Sequence, residues 1–269
     1  MTRRGGLRVY GTLLRAGIAG QTAYRTSFAL ELAGAGLLVG LDFVEVLAIF
    51  TQVPLVEGFS FAEVVLVFAL ASTSFAVADL LLGQTDAVIQ HVRSGTFDVV
   101  LLRPLPTLGQ LAAADLQPRR LGRVAVSVVV LVLALRELEL DWSPARVALL
   151  VVAPLAGTAI FGSLFVCAGA LSFWLVEGTE VGSALIYGSA YLSQWPIGVL
   201  GPVVGRFFTF VVPAAFTGYL PAVALLGRPE PTGLPAWAGW LCPLAAAAAV
   251  AVAALCWRAA VRHYVGAGG

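Results

Sequence analysis

The sequence predicts an all-α polytopic membrane protein with six transmembrane helices, and three observations lead there. Of its 269 residues 59% are hydrophobic. Only 12% are charged, against roughly 25% in an ordinary soluble domain. The mean hydropathy is +0.93, and the apolar residues gather in several stretches of about 20, the length that crosses a hydrocarbon core of roughly 30 Å. A single membrane domain, 1–269, accounts for the chain.

The first 25 residues do not read as a secretory signal, because Arg8 and Arg15 interrupt the apolar region such a signal needs. Arg8, Thr12, Arg15 and Thr22 share one helical face and Leu7, Tyr10, Leu14 and Ile18 the other. That pattern predicts an N-terminal amphipathic interfacial helix over 1–25, lying on membrane lipid. Spans are expected at 28–50, 62–83, 121–138, 147–174, 181–200 and 236–257. A seventh apolar run, 203–226, contains Arg206, Pro213 and Pro221. With six crossings, twelve arginines fall on the cytoplasmic side and only Arg136, Arg146, Arg206 and Arg228 outside, which satisfies the positive-inside bias and makes both termini cytoplasmic. Residues 203–226 are then a re-entrant helical pair on the outer face before the last span, tolerable at membrane depth only when packed against protein.

The largest inward loop, 84–120, predicts a short helix outside the membrane. Thr85 suits its N-cap, Asp86 its first turn, His91 and Arg93 its last turn, and Gly95 the position just past its end.

Composition also excludes. The net charge of +1, with dispersed arginines, argues against a nucleic-acid partner. Cys167, Cys242 and Cys256 lie in apolar stretches without disulfide or metal spacing. No HExxH, GxSxG or paired-carboxylate site stands out, so the chain does not read as an enzyme. All sixteen basic residues are arginine. A P-loop needs its lysine, so nucleotide-driven work must come from a partner, and no cofactor is expected in this chain.

The stretch Arg93, Gly95, Phe97, Asp98, Leu101, Leu102, Arg103, Pro104, followed by Arg119, Arg120, Leu121, Gly122 and Arg123, resembles the ABC-2-type exporter permeases, and within them an uncharacterised bacterial ABC transport-system subfamily. Further matches are Phe173, Trp174 and Glu177, then Phe210 to Pro213, then Tyr219, Pro221 and Ala222. His91 and Thr96 depart from the subfamily's usual basic or acidic residues. The resemblance implies a multi-pass permease of the bacterial cytoplasmic (inner) membrane. It also implies a separate ABC ATPase in two copies that binds ATP and Mg, and a second related permease subunit or a homodimer. Residues 84–106 become the cytoplasmic coupling-helix loop. Asp86, Gln90, His91, Arg93 and Asp98 are its expected polar rim, Val88, Ile89, Val92 and Phe97 its expected contact with the ATPase, and Gly95, Arg103 and Pro104 its motif residues.

Span one carries Asp42 and Glu45 on one helical face. Two mid-helix acids cost about 5–7 kcal/mol on insertion scales, and the fourteen Leu, Ile, Val and Phe residues between 28 and 53 return about 4–8. That face therefore looks into a wet cavity or partner helix, sits near the outer headgroups, or pairs with arginine. In span five Tyr187, Tyr191, Gln194 and Trp195 recur at helical spacing, as a cavity wall would need; core packing gives the same pattern. Asp79, near the inner end of span two, is expected to meet Arg119, Arg120 or Arg123. An ion-coupled secondary transporter or channel, using Asp42, Glu45 and Asp79, is the alternative reading.

Overall fold

The computed structural model describes residues 25–83, 88–102, 106–114, 117–175, 178–229 and 233–264. The expected interfacial helix at 1–25 lies, but for Arg25, outside them. Among the described residues there is no named strand. The helices are α1 (Arg25–Phe50), α2 (Phe61–Leu82), α3 (Val88–Arg93), α4 (Phe97–Leu102), α5 (Thr107–Ala114), α6 (Leu121–Glu137), α7 (Pro144–Leu171), α8 (Gly178–Ser193), α9 (Gly201–Phe210), α10 (Tyr219–Leu226) and α11 (Cys242–His263).

Among the described residues, four helices are long and apolar enough to cross a membrane: α1, α2, α7 and the run Trp237–His263 that ends in α11. α6 has 17 residues and α8 has 16, about 26 and 24 Å at 1.5 Å per residue. The bounds of two predicted spans move by six residues or more. α8 stops at Ser193 rather than residue 200, because Pro196 cannot donate to the ladder and 197–200 turns as a 3-10 helix instead. The last α-helix begins at Cys242 rather than 236, with Pro243 in its first turn, and runs on to His263 past Arg258 and Arg262, whose long stems let a helix end leave the apolar zone. The apolar run 203–226 is broken into α9 and α10, 10 and 8 residues long, each too short to cross.

α2 is the hub. It packs against α1, α6, α7, α8 and α10, and 83% of its most apolar window is buried, against 17% for α1. Its N-terminus is held by a polar clamp: the Ser60 amide donates to Glu63 Oε2 at 2.8 Å, and Arg228 Nη1 reaches both Glu63 oxygens at 2.8 and 2.7 Å. The same guanidinium lies 4.6 Å over the Phe59 ring. α1 reaches the bundle chiefly through α6. Gly36 and Gly122 meet at that crossing, where a Cβ on Gly122 would fall onto the Leu32 carbonyl. Gly40, the other half of the GxxxG spacing, has open space around its Cβ position.

Hydrophobic packing divides along the bundle. A large core joins Phe59, Phe68, Leu149, Trp195 and Tyr219 at the Arg228 end. A smaller one at the opposite end joins Val88, Phe97, Leu111, Val166 and Trp257.

Candidate functional site

The segment 88–114 forms three short helices tied to the second core. Gly95 ends α3 at φ +69°, a left-handed value that favours glycine, as its predicted place past a helix end requires. The turn is laced by side chains: Ser94 Oγ donates to the Gln90 carbonyl at 2.7 Å, and Thr96 Oγ1 meets His91 Nδ1 at 2.9 Å and Ser94 Oγ at 2.8 Å. Phe97 is fully buried, its ring 5.2 Å from Phe173 and 5.0 Å from Tyr264. Phe173 lies edge-on to Trp257, whose Nε1 donates to Thr107 Oγ1 at 3.1 Å. Burial, and then the neighbouring Asp98 carboxylate, push the Tyr264 phenol up from its ordinary value.

This arrangement corrects the expected partner contact. Val88 and Phe97 are buried in the chain's own core, so neither offers a free face to another protein, and Val92 packs half-buried against it. The exposed apolar side chains are instead Val99, Leu101 and Leu102, the last 84% exposed. Gln90 is exposed, and His91 and Asp98 are half-buried. Asp86, Arg103 and Pro104, with the side chains of Ile89 and Arg93, lie outside the described residues.

Above this segment sits a charged node. Asp79, near the end of α2 and 2% exposed, receives Arg120 Nη1 at 2.7 Å on Oδ1 and Arg123 Nη1 at 3.3 Å on Oδ2. Arg120 also donates to the Asp79 carbonyl at 2.6 Å, closing the C-terminal turn of α2. Gly83 follows, and a Cβ there would overlap the Arg120 guanidinium. Arg119 turns away, to Glu31 on α1 at 3.2 Å.

Arg123 also faces a cavity of about 120 Å³ enclosed by α1, α2, α8 and the start of α6. Asp42, Tyr187, Tyr191 and Gln194 line it, so four residues for which a cavity-facing place was one expectation do share one space. Glu45 joins through Tyr191, whose Oη donates to Glu45 Oε1 at 2.6 Å. Trp195 does not: α8 ends two residues earlier and the indole packs into the main core. Sequence reasoning missed Ser72 and Phe75 as cavity wall. Ser72 Oγ is buried without a hydrogen-bond partner, and the polar run Ser72-Thr73-Ser74 inside an apolar span was the available signal. A space this size, walled by both charge signs and three rings, accommodates one functional group of a ligand. A group of three or more metal-ligating side chains is absent among the described residues.

A helical bundle of this apolarity, with several helices long enough to span a bilayer, defines a multi-pass membrane protein. The family model described as ABC-2 family transporter protein matches residues 37–268, and the chain belongs to that family. It is therefore an ABC-2-type permease, a membrane transport component that associates with an ABC ATPase. Among curated proteins and among solved structures there is no significant match.

Proposed function

We propose that the chain is the transmembrane permease subunit of an ATP-driven ABC exporter, forming half of an alternating-access path with a second permease and taking its power stroke from a separate ATPase. The observation that carries this reading is the tied segment 88–102, anchored by Phe97 to the ends of α7 and α11 and presenting Val99 and Leu102 outward. A rigid element fixed to two long helices transmits displacement; a loose loop would dissipate it. The absence of lysine supports an external ATPase, since the chain has no P-loop.

Six crossings fit best. α6 and α8, at about 26 and 24 Å, complete a set with the four longer helices once modest bilayer thinning is allowed. The arginine distribution then sets 84–120 and both termini on the cytoplasmic side of a bacterial inner membrane. α9 and α10 form the outer re-entrant pair, with α10 packed against α2, α7 and the 3-10 turn Ala236–Leu241.

Co-purification from native membranes tests the assignment: a nucleotide-hydrolysing subunit should elute at fixed stoichiometry. Leu102→Ser should weaken its retention while leaving the melting temperature of the permease unchanged. For orientation, Thr96→Cys in a cysteine-free background should label only from the inside and Thr232→Cys only from the outside. Transport by the purified chain with no ATPase present would overturn the reading. It would favour ion coupling through the Asp42 cavity.

A further inference from the structure

We propose that the trough between α7, α9 and α11 is a phospholipid site, in which Arg206 holds the phosphate and Glu57 the ammonium of a phosphatidylethanolamine-type headgroup. Two cavities adjoin there. One, of about 380 Å³, lies beside Arg206, Gly198 and Leu234. The other, of about 310 Å³, runs between Ile160, Leu164 and Val252. Thr209 and Phe210 line both, so they follow one another along a single face.

The wall chemistry selects an amphiphile. Thr209 Oγ1 donates to the Gly205 carbonyl at 2.8 Å and Ser163 Oγ to the Ala159 carbonyl at 2.7 Å, so both hydroxyls bond within their own helices. Among the described residues that line either cavity, Arg206 carries the one formal charge. It is exposed and makes no ion pair with another described residue. Water gains little from such a surface; an acyl chain fits it.

Direction follows from the ends of the trough. Val252 is ten residues into α11, about 15 Å from its start. The Arg206 end is lined by Gly233 and Leu234, which lead into the 3-10 turn Ala236–Leu241, where Trp237 and Trp240 are exposed, as indoles are at the headgroup level. A lipid therefore enters head at Arg206 and tail toward the bundle's middle. At the same mouth, Glu57 Oε2 is 2.9 Å from where a Cβ on Gly198 would stand. One cation and one anion at a single rim match a zwitterionic head better than a singly anionic one.

Native mass spectrometry of the full chain, delipidated in detergent and titrated with defined lipids, tests this. One phosphatidylethanolamine should remain bound at concentrations where phosphatidylglycerol is at least tenfold less occupied. Arg206→Gln should lower occupancy of both tenfold or more, while Glu57→Gln should erase the preference. Ala248→Trp, at an exposed lining position, should block the tail and empty the site with the melting temperature unchanged; Arg136→Gln, on α6, should change nothing. Occupancy insensitive to Arg206→Gln, equal retention of phosphatidylglycerol, or equal binding of tail-free glycerophosphoethanolamine would each overturn the proposal. So would a dimer on this face that Ala248→Trp abolishes.

Discussion

Two acidic positions in the same bundle behave as opposites. Asp79 is closed: two arginines occupy its two oxygens and the chain buries it. Asp42 is open: it borders a cavity that the unpartnered Ser72 hydroxyl also lines, and makes no ion pair with a described residue. Both acids sit in apolar helices and share Arg123 as a neighbour, so proximity to a cation does not separate them. What separates them is saturation. A buried carboxylate whose acceptor sites are filled fixes geometry, whereas one that faces a cavity is available to something that enters.

The contrast can be broken from its closed side first. Asp79→Ala leaves two guanidiniums without their carboxylate, and removing one partner of a buried ion pair costs about 3–5 kcal/mol; a large fall in melting temperature is expected, with partial recovery in Asp79→Ala/Arg123→Gln. If the single variant melts like wild type, the node is not structural. A parallel contrast runs through 88–102, where Phe97→Ala should cost about 3–5 kcal/mol by emptying an aromatic pocket, while Leu102→Ser should leave thermal unfolding unmoved. Equal destabilisation by the two would show that both faces are buried in the assembled protein.

Smaller effects sharpen the open side. Tyr191→Phe removes the hydrogen bond to Glu45, and because the pair is half exposed the loss should be about 1 kcal/mol or less. Asp42→Asn should alter stability by less than about 0.5 kcal/mol, yet reduce transport in a reconstituted system. Full transport by Asp42→Asn, with unchanged substrate dependence, would remove the cavity from the path.

Much of this was legible in the residues, and the misses have physical causes. Gly95 was found because a helix end needs a left-handed residue, a local requirement. The Asp79 pairing followed from charge and depth alone. Phe97 was misassigned because helical spacing says which residues share a face but not whether that face meets the chain's own bundle or a partner. Trp195 took the core-packing alternative that the spacing 187, 191, 195 left open, since that spacing reads as one face only along an unbroken helix and α8 ends at Ser193, before Pro196. The cavity's third wall went unseen because Ser72 and Phe75 lie on α2, far along the chain from Tyr187 and Tyr191 on α8, and no period within one helix reports on another.

The overlap between Gly83 and Arg120 has an outcome beyond local packing. An alanine there would alter no charge in the sequence, yet its methyl group needs the volume the guanidinium fills. The guanidinium would have to shift, and its 2.7 Å contact with Asp79 would shift with it. An uncharged, one-carbon substitution would thus disturb an ion pair to which it contributes no atom, because the missing side chain at this position leaves room for the guanidinium.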